Sequence, residues 1–231
     1  MTTFIANAEK IALDAFSATT ALARPFSRVI LFLSLHPENS AKLRGKNPAA
    51  IGSEAYIRKL ADSFTKARKP KSPTAPETIP DEMVSVILEH FFGVPSTELK
   101  QIQRTHKLSM GAENMVGELL ERYLASVMEP LGWIWCSGSV VKAVDFILPP
   151  KSKGDQWTLL QVKNRDNSEN SSSSAVRKDT TIKKWFRTFS TKAGQNWSTF
   201  PDPTVAPKVS EAAFKKFVND YLRAIKQSQT T

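Results

Sequence analysis

A mixed α/β (α+β) fold, a mixed sheet flanked by helices with a helical region ahead of it, is what this 231-residue chain predicts. Three observations predict it. Apolar residues recur at helical spacing over roughly the first hundred positions and again before residue 128. Short runs rich in Trp, Val, Ile and Phe, divided by Gly and Pro, fill 132–163. The chain then returns to a capped amphipathic helix.

Taken in order, Phe4, Ile5, Ala8, Ile11, Ala12, Ala15, Phe16 and Thr19 share one helical face, and Ile51, Tyr56, Ile57, Leu60 and Phe64 repeat the pattern. The region 1–65 is therefore expected to be helical. Residues 66–80, with Pro70, Pro73, Pro76 and Pro80 among basic and small residues, read as an exposed connection to a catalytic core at 81–231. A short helix should follow, with Met83, Val84, Ile87, Leu88 and Phe91 turned inward and Gly93 stopping it. Residues 112–128 carry Met115, Val116, Leu119, Leu120, Tyr123, Leu124 and Val127 in a broad stripe, the mark of a helix packed on something large. Strands are expected at 132–137, 139–148 and 157–163, with Gly138 as a turn. A basic amphipathic helix is expected at 176–190, with Lys183, Lys184 and Arg187 outside, and loop chemistry at 194–207. The helix 210–227 has Ser210 as its cap, Glu211 in its first turn, and Phe214, Phe217, Val218, Tyr221, Leu222 and Ile225 on one side.

Composition narrows the partners. Thirty-two basic against 22 acidic residues give a net charge of +10 and an isoelectric point near 9.7, which favours a polyanion, because Lys and Arg that neutralise phosphates release counterions. Cys136 is the single cysteine, so an intramolecular disulfide and a cysteine zinc cluster are excluded, and a buried thiol is expected. The apolar run 29–35 is too short to span a bilayer, and the start of the chain lacks signal-peptide chemistry, so a soluble cytoplasmic protein without membrane contact is expected. His36, His90 and His106 are scattered without metal-ligand spacing.

The chemistry concentrates in Val144-Asp145-Phe146 and Leu159-Leu160-Gln161-Val162-Lys163. Residues at i and i+2 of a strand face the same side, so Gln161 and Lys163 face one site together while Val162 points to the core. Asp145 is expected to be the central ligand of a hard cation, with the Gln161 amide oxygen and the Val162 carbonyl beside it; Mg²⁺ accepts such a sparse set of oxygens. Lys163 would hold and help deprotonate the attacking water or stabilise charge on a phosphate. A neutral Gln weakens the site unless another acid joins it. Glu118 on the preceding helix is the candidate, with Glu113 and Glu121 behind it, and helical angles leave the choice open. At about 100° per residue Glu113 falls nearest the apolar stripe, Glu118 at its margin and Glu121 on the outer side.

Directly after Lys163 come Asn164, Arg165, Asn167, Ser168, Glu169 and Asn170, four serines, and Arg177. These side chains suit base edges and phosphates, so a DNA-reading loop is expected at 164–178. Lys183, Lys184 and Arg187 are expected on phosphates.

The order Asp145, Gln161, Lys163 resembles the PD-(D/E)xK nuclease pattern, with Gln in the second acidic position and Val144 where Pro often stands. With Gly117-Glu118 through Leu124, Gly132-Trp133 and the Asn/Ser run, it is similar to type II restriction endonucleases of the SinI family. The resemblance implies a restriction-endonuclease-like core, a bacterial homodimer cutting double-stranded DNA with Mg²⁺, a GG(A/T)CC target, and a companion methyltransferase acting on that site. Two alternatives stay open on the residues: a nuclease of the same fold serving repair or recombination, and a DNA-binding protein without catalysis, which Gln161 motivates.

Overall fold

The computed structural model describes residues 3–16, 20–152, 154–166 and 182–229. Its elements run α1 (Ala8–Asp14), α2 (Ala23–Leu35), α3 (Glu54–Arg68), α4 (Glu82–His90), α5 (Leu99–Met128), β1 (Ile134–Trp135), β2 (Phe146–Leu148), β3 (Thr158–Arg165), β4 (Ile182–Thr188) and α6 (Glu211–Ser228). The strands form one sheet in the order β1-β2-β3-β4. The first two pairings are antiparallel and β3 with β4 is parallel, so the sheet is mixed, as expected.

The period-2 alternation of the strands builds a core on each face of the sheet. Ile134, Ile147, Leu159 and Ile182 pack under α1, α2 and α3. Trp135, Phe146, Leu160, Val162 and Trp185 pack under α5 and α6. The result is three layers, with the N-terminal helices as a full partner of the sheet rather than an appendage. Cys136 is buried, as expected. Trp197 and Phe200 are core residues as well, Trp197 donating from its indole to Glu211.

Two arginines join the layers, Arg122 buried and Arg68 half-buried. Arg122 donates to the carbonyls of Ala67, Arg68 and Lys69, capping the C-terminus of α3, while it pairs with Glu118 one turn back. A guanidinium suits that place, because its forked donors satisfy several last-turn carbonyls at the negative end of the helix dipole. Arg68 reaches the other way, to Glu129, to the Ser137 hydroxyl and to the Trp135 carbonyl. Ser53 and Ser210 cap α3 and α6 through the backbone N–H of Tyr56 and Ala213, each worth about 1 kcal/mol.

Residues 69–80 are mostly exposed, yet they form a fastened strap. Lys71 is bonded through its backbone to the Tyr221 hydroxyl and through its ammonium to Glu118, and Ser72 accepts from Gln229. The strap crosses α5 at Gly111, where an added Cβ would lie 2.7 Å from the Thr74 carbonyl oxygen. Only a glycine allows that approach.

Four expectations are corrected. Residues 182–188 are a strand, not part of a helix: Ile182 and Trp185 enter opposite cores, which a helical face cannot do. Residues 176–181 lie outside the described residues. Residues 139–145 are a turn with Ser139 and Ala143 at positive φ, so the strand expected at 139–148 shrinks to β2 and Asp145 stands at its entrance. The helix expected at 112–128 starts at Leu99 and is 30 residues long. Met83, Val84, Ile87 and Phe91 are exposed rather than turned inward, because α4 meets only the N-terminal half of α5. Among the described residues, no helix is long and apolar enough to cross a membrane.

Candidate active site

The site lies where β2 parts from β3. Asp145 gives its N–H to the Leu160 carbonyl, and its own carbonyl accepts from Cys136. Its carboxylate turns into the fork and accepts from the Val162 N–H at 2.7 Å, taking the bond β2 would have made had it continued. N–H and C=O of one strand residue face the same neighbour, so the Val162 carbonyl opens into the fork too. Val162 itself packs into the core, as expected.

Across the fork stands Glu121 of α5. Its carboxylate accepts from the buried indole N–H of Trp135 at 3.0 Å. Burial and then the charge of Asp145 push Glu121 up to about 8, against the opposing Trp135 bond, and Lys163 pulls it down. Burial likewise raises Asp145 to about 6, against the Val162 N–H and Lys163. At neutral pH burial and the Asp145 charge thus hold Glu121 protonated, and a cation between the two carboxyl groups would favour its ionised form. Asp145, Glu121 and the Val162 carbonyl are oxygens of the kind that hold Mg²⁺, completed by water and substrate phosphate, while Gln161 alternates with the core residues Leu160 and Val162 and so leaves β3 on the opposite face of the sheet. Among the described residues, no three His, Cys, Asp or Glu side chains group as a metal cage.

Glu118 stands elsewhere. Its two oxygens are engaged by Arg122 and by Lys71, although its charge still acts on Glu121. The helical angles misled here: Glu113 is exposed, and Glu121, placed on the outer side by angle alone, faces the sheet. The buried positions Leu124, Ala125 and Met128 wrap the helix past a single stripe and carry Glu121 with them. A sequence signal existed in Trp135, since a buried indole N–H needs an acceptor and the helix just before it is acidic.

Gln161 is buried, Lys163 half-buried, and in the parallel register Gln161 sits beside Lys184. Paired residues of neighbouring strands point the same way, so Lys184 shares the face of Gln161 and Lys163. Burial, and then the charge of Lys163, lower the Lys184 ammonium, while Asp166 opposes that shift. Lys183 points to the other face and is exposed. Lys184 thus belongs with the fork rather than to the outer side of a helix.

Arg187 is also corrected. It donates to the Asn164 amide oxygen and to Glu211 and lies over the Phe214 ring, a tie between the sheet and α6 rather than an outward phosphate contact. Asn164 is held by that tie, and Arg165 is exposed at the end of β3. Asn167, Ser168, Glu169, Asn170 and Arg177 lie outside the described residues.

The model of the SinI restriction endonuclease family matches residues 5–224. The type II restriction enzyme Eco47I of Escherichia coli is 50% identical over 223 residues, covering 96% of each chain. The type II restriction enzyme SinI of Salmonella infantis is 50% identical over 225 residues, covering 96% of this chain and 97% of its own.

Proposed function

The chain belongs to the SinI restriction endonuclease family and is a type II restriction endonuclease, a site-specific deoxyribonuclease, and from that premise we propose that it cuts double-stranded DNA with Mg²⁺ at the β2/β3 fork. The observation that carries the proposal is the Asp145 carboxylate on the Val162 N–H, facing Glu121 and within electrostatic reach of Lys163.

In this reading Asp145, Glu121 and the Val162 carbonyl hold the ion. Bound there, Mg²⁺ supplies Lewis-acid neutralisation of phosphate charge and makes water more acidic. Lys163 orients the attacking water and takes part in its deprotonation, and Lys184 steadies the phosphate from the next strand. Glu121, rather than Glu118, is the helix carboxylate of the site; Glu118 holds the strap and Arg122. Arg165 and the segment 166–178 leave the strand that carries Lys163, which couples base reading to the chemistry. The target is GG(A/T)CC, as the family resemblance implies, protected in the host by a methyltransferase of the same specificity. One fork per chain serves one strand, so two copies serve the duplex. This sequence-specific reading takes precedence over repair or recombination cutting and over binding without catalysis, because relatives alike along nearly their whole length are named type II restriction enzymes.

The test is digestion of unmodified phage DNA with and without Mg²⁺, followed by mapping of the ends. Discrete fragments with one end sequence are expected, and Lys163→Ala should bind the same site without cutting it. Smears, or cutting only at branched structures, would refute the sequence-specific reading.

A further inference from the structure

We propose that α4 and the first three turns of α5 are the surface through which two copies of this chain pair. The inference rests on the two-copy reading above and adds its location. α4 is apolar over more than half of its circumference, with Met83, Val84, Val86, Ile87 and Leu88 followed by Phe91 and Phe92, and Glu82, Ser85 and Glu89 on the remaining side. A helix of that kind needs cover on more than one side. The chain covers one: Ser85 accepts from Gln103 of α5, and Val84 and Leu88 line a groove of about 360 Å³ against Ile102, His106 and Met110.

The other side is bare, Phe91 being 79% exposed, Phe92 66%, Met83 56% and Ile87 53%, with Ile79 beside them at 92%. No residue of α4 is buried. Scaled by full side-chain areas of ~150–250 Å² for the aromatics, these residues with Val84 and Val86 bare on the order of 800 Å², the area one partner puts into a standard stable interface. A lone soluble chain does not keep such a patch.

The flanking charges select a second copy as the occupant. Glu82 and Glu89 are exposed acids on α4, and Lys100 and Arg104 are exposed bases on the first turns of α5. A two-fold axis through the patch lays each α4 against the partner's α5, so each acidic flank meets a basic one twice over. A partner of single-sign charge would be repelled by one flank.

Sedimentation of the full-length protein over a range of concentrations, with and without target DNA, tests the inference. The wild type should be a dimer. Ile87→Glu with Phe91→Glu should raise the dissociation midpoint at least about a hundredfold. Both side chains are exposed, so the circular dichroism spectrum should not change, and the variant should nick supercoiled plasmid rather than linearise it. A second pair isolates the charges. Glu82→Lys with Glu89→Lys, and separately Lys100→Glu with Arg104→Glu, should each weaken pairing, whereas an equimolar mixture of the two should recover a mixed dimer.

If the double-Glu variant stays dimeric, or the mixture fails to recover, the surface is wrong while the two-copy reading stands. If the wild type is monomeric with and without DNA yet cuts both strands, pairing itself is refuted. Neither result touches cleavage at the fork, which Lys163→Ala reports separately.

Discussion

The C-terminal half of α5, from Gly111 to Met128, is sunk between the sheet, the strap and α6 and presents Glu121 to the fork; the half from Leu99 to Met110 carries α4 and faces solvent. Both halves are regular helix in one unbroken run. The difference teaches that helicity here was set locally, whereas what each turn is for was set by its neighbours. Changes in the inner half should therefore cost the chemistry at the fork or the stability of the single chain, and changes in the outer half should spare both while weakening the pairing of two copies.

The largest effect belongs to the fork itself. Asp145→Asn or Lys163→Ala should lower single-turnover cleavage by on the order of 10³ or more, while gel-shift binding to the target survives. Equal loss of binding would make these residues DNA contacts and erase the contrast.

Glu121→Gln should follow, with cleavage down about 10²-fold and a raised Mg²⁺ requirement. Glu118→Gln should leave the Mg²⁺ requirement in place, since its oxygens serve Arg122 and Lys71. The reverse result would return the role to Glu118.

Glu121 also sets a pH dependence. Its folded value, about 8, lies above the ordinary 4.5, and that of Asp145, about 6, lies above 3.8. As pH rises the unfolded chain releases these protons first, so stability present at low pH is lost between about pH 4 and pH 8. Without metal, the melting temperature should fall from pH 5 to pH 8, the fall should be shallower in Glu121→Gln, and Mg²⁺ should offset it at pH 8. A metal-free melting temperature that rises over that interval would contradict the shared burial of the two carboxyl groups.

Arg122→Ala should cost about 3 kcal/mol in urea unfolding, because it uncaps α3 and leaves the half-buried Glu118 with Lys71 alone. Smallest of all, Met83→Ser on α4, the helix that the outer half carries, should move the stability of the single chain by no more than about 0.5 kcal/mol. A large loss there would mean that α4 is already covered.

The fork was legible because its logic is local. Asp145, Gln161 and Lys163 are fixed by strand alternation and one antiparallel register, and both can be written from spacing alone. β4 was not legible. Ile182, Trp185, Phe186 and Phe189 fall at spacings of three and four, which mimic a helix, and the partner that makes the segment a strand is β3, as in Leu159 with Ile182 and Arg165 with Thr188, paired in parallel across a long stretch of intervening chain. The inward side assigned to α4 failed for a related reason. An apolar helix announces that it will be covered, and says nothing of whether its own chain supplies the cover. Glu121 needed the wrap of α5 past one stripe, which appears only once the sheet and α6 both press on the helix.

The glycine at 111 separates the two regimes. An exposed stretch of helix about 18 Å long, left to itself in water, would fray. With the Thr74 carbonyl seated against Gly111, the stretch instead projects as a spar bolted at its root, keeping one bearing toward the catalytic body before anything has come to rest on it.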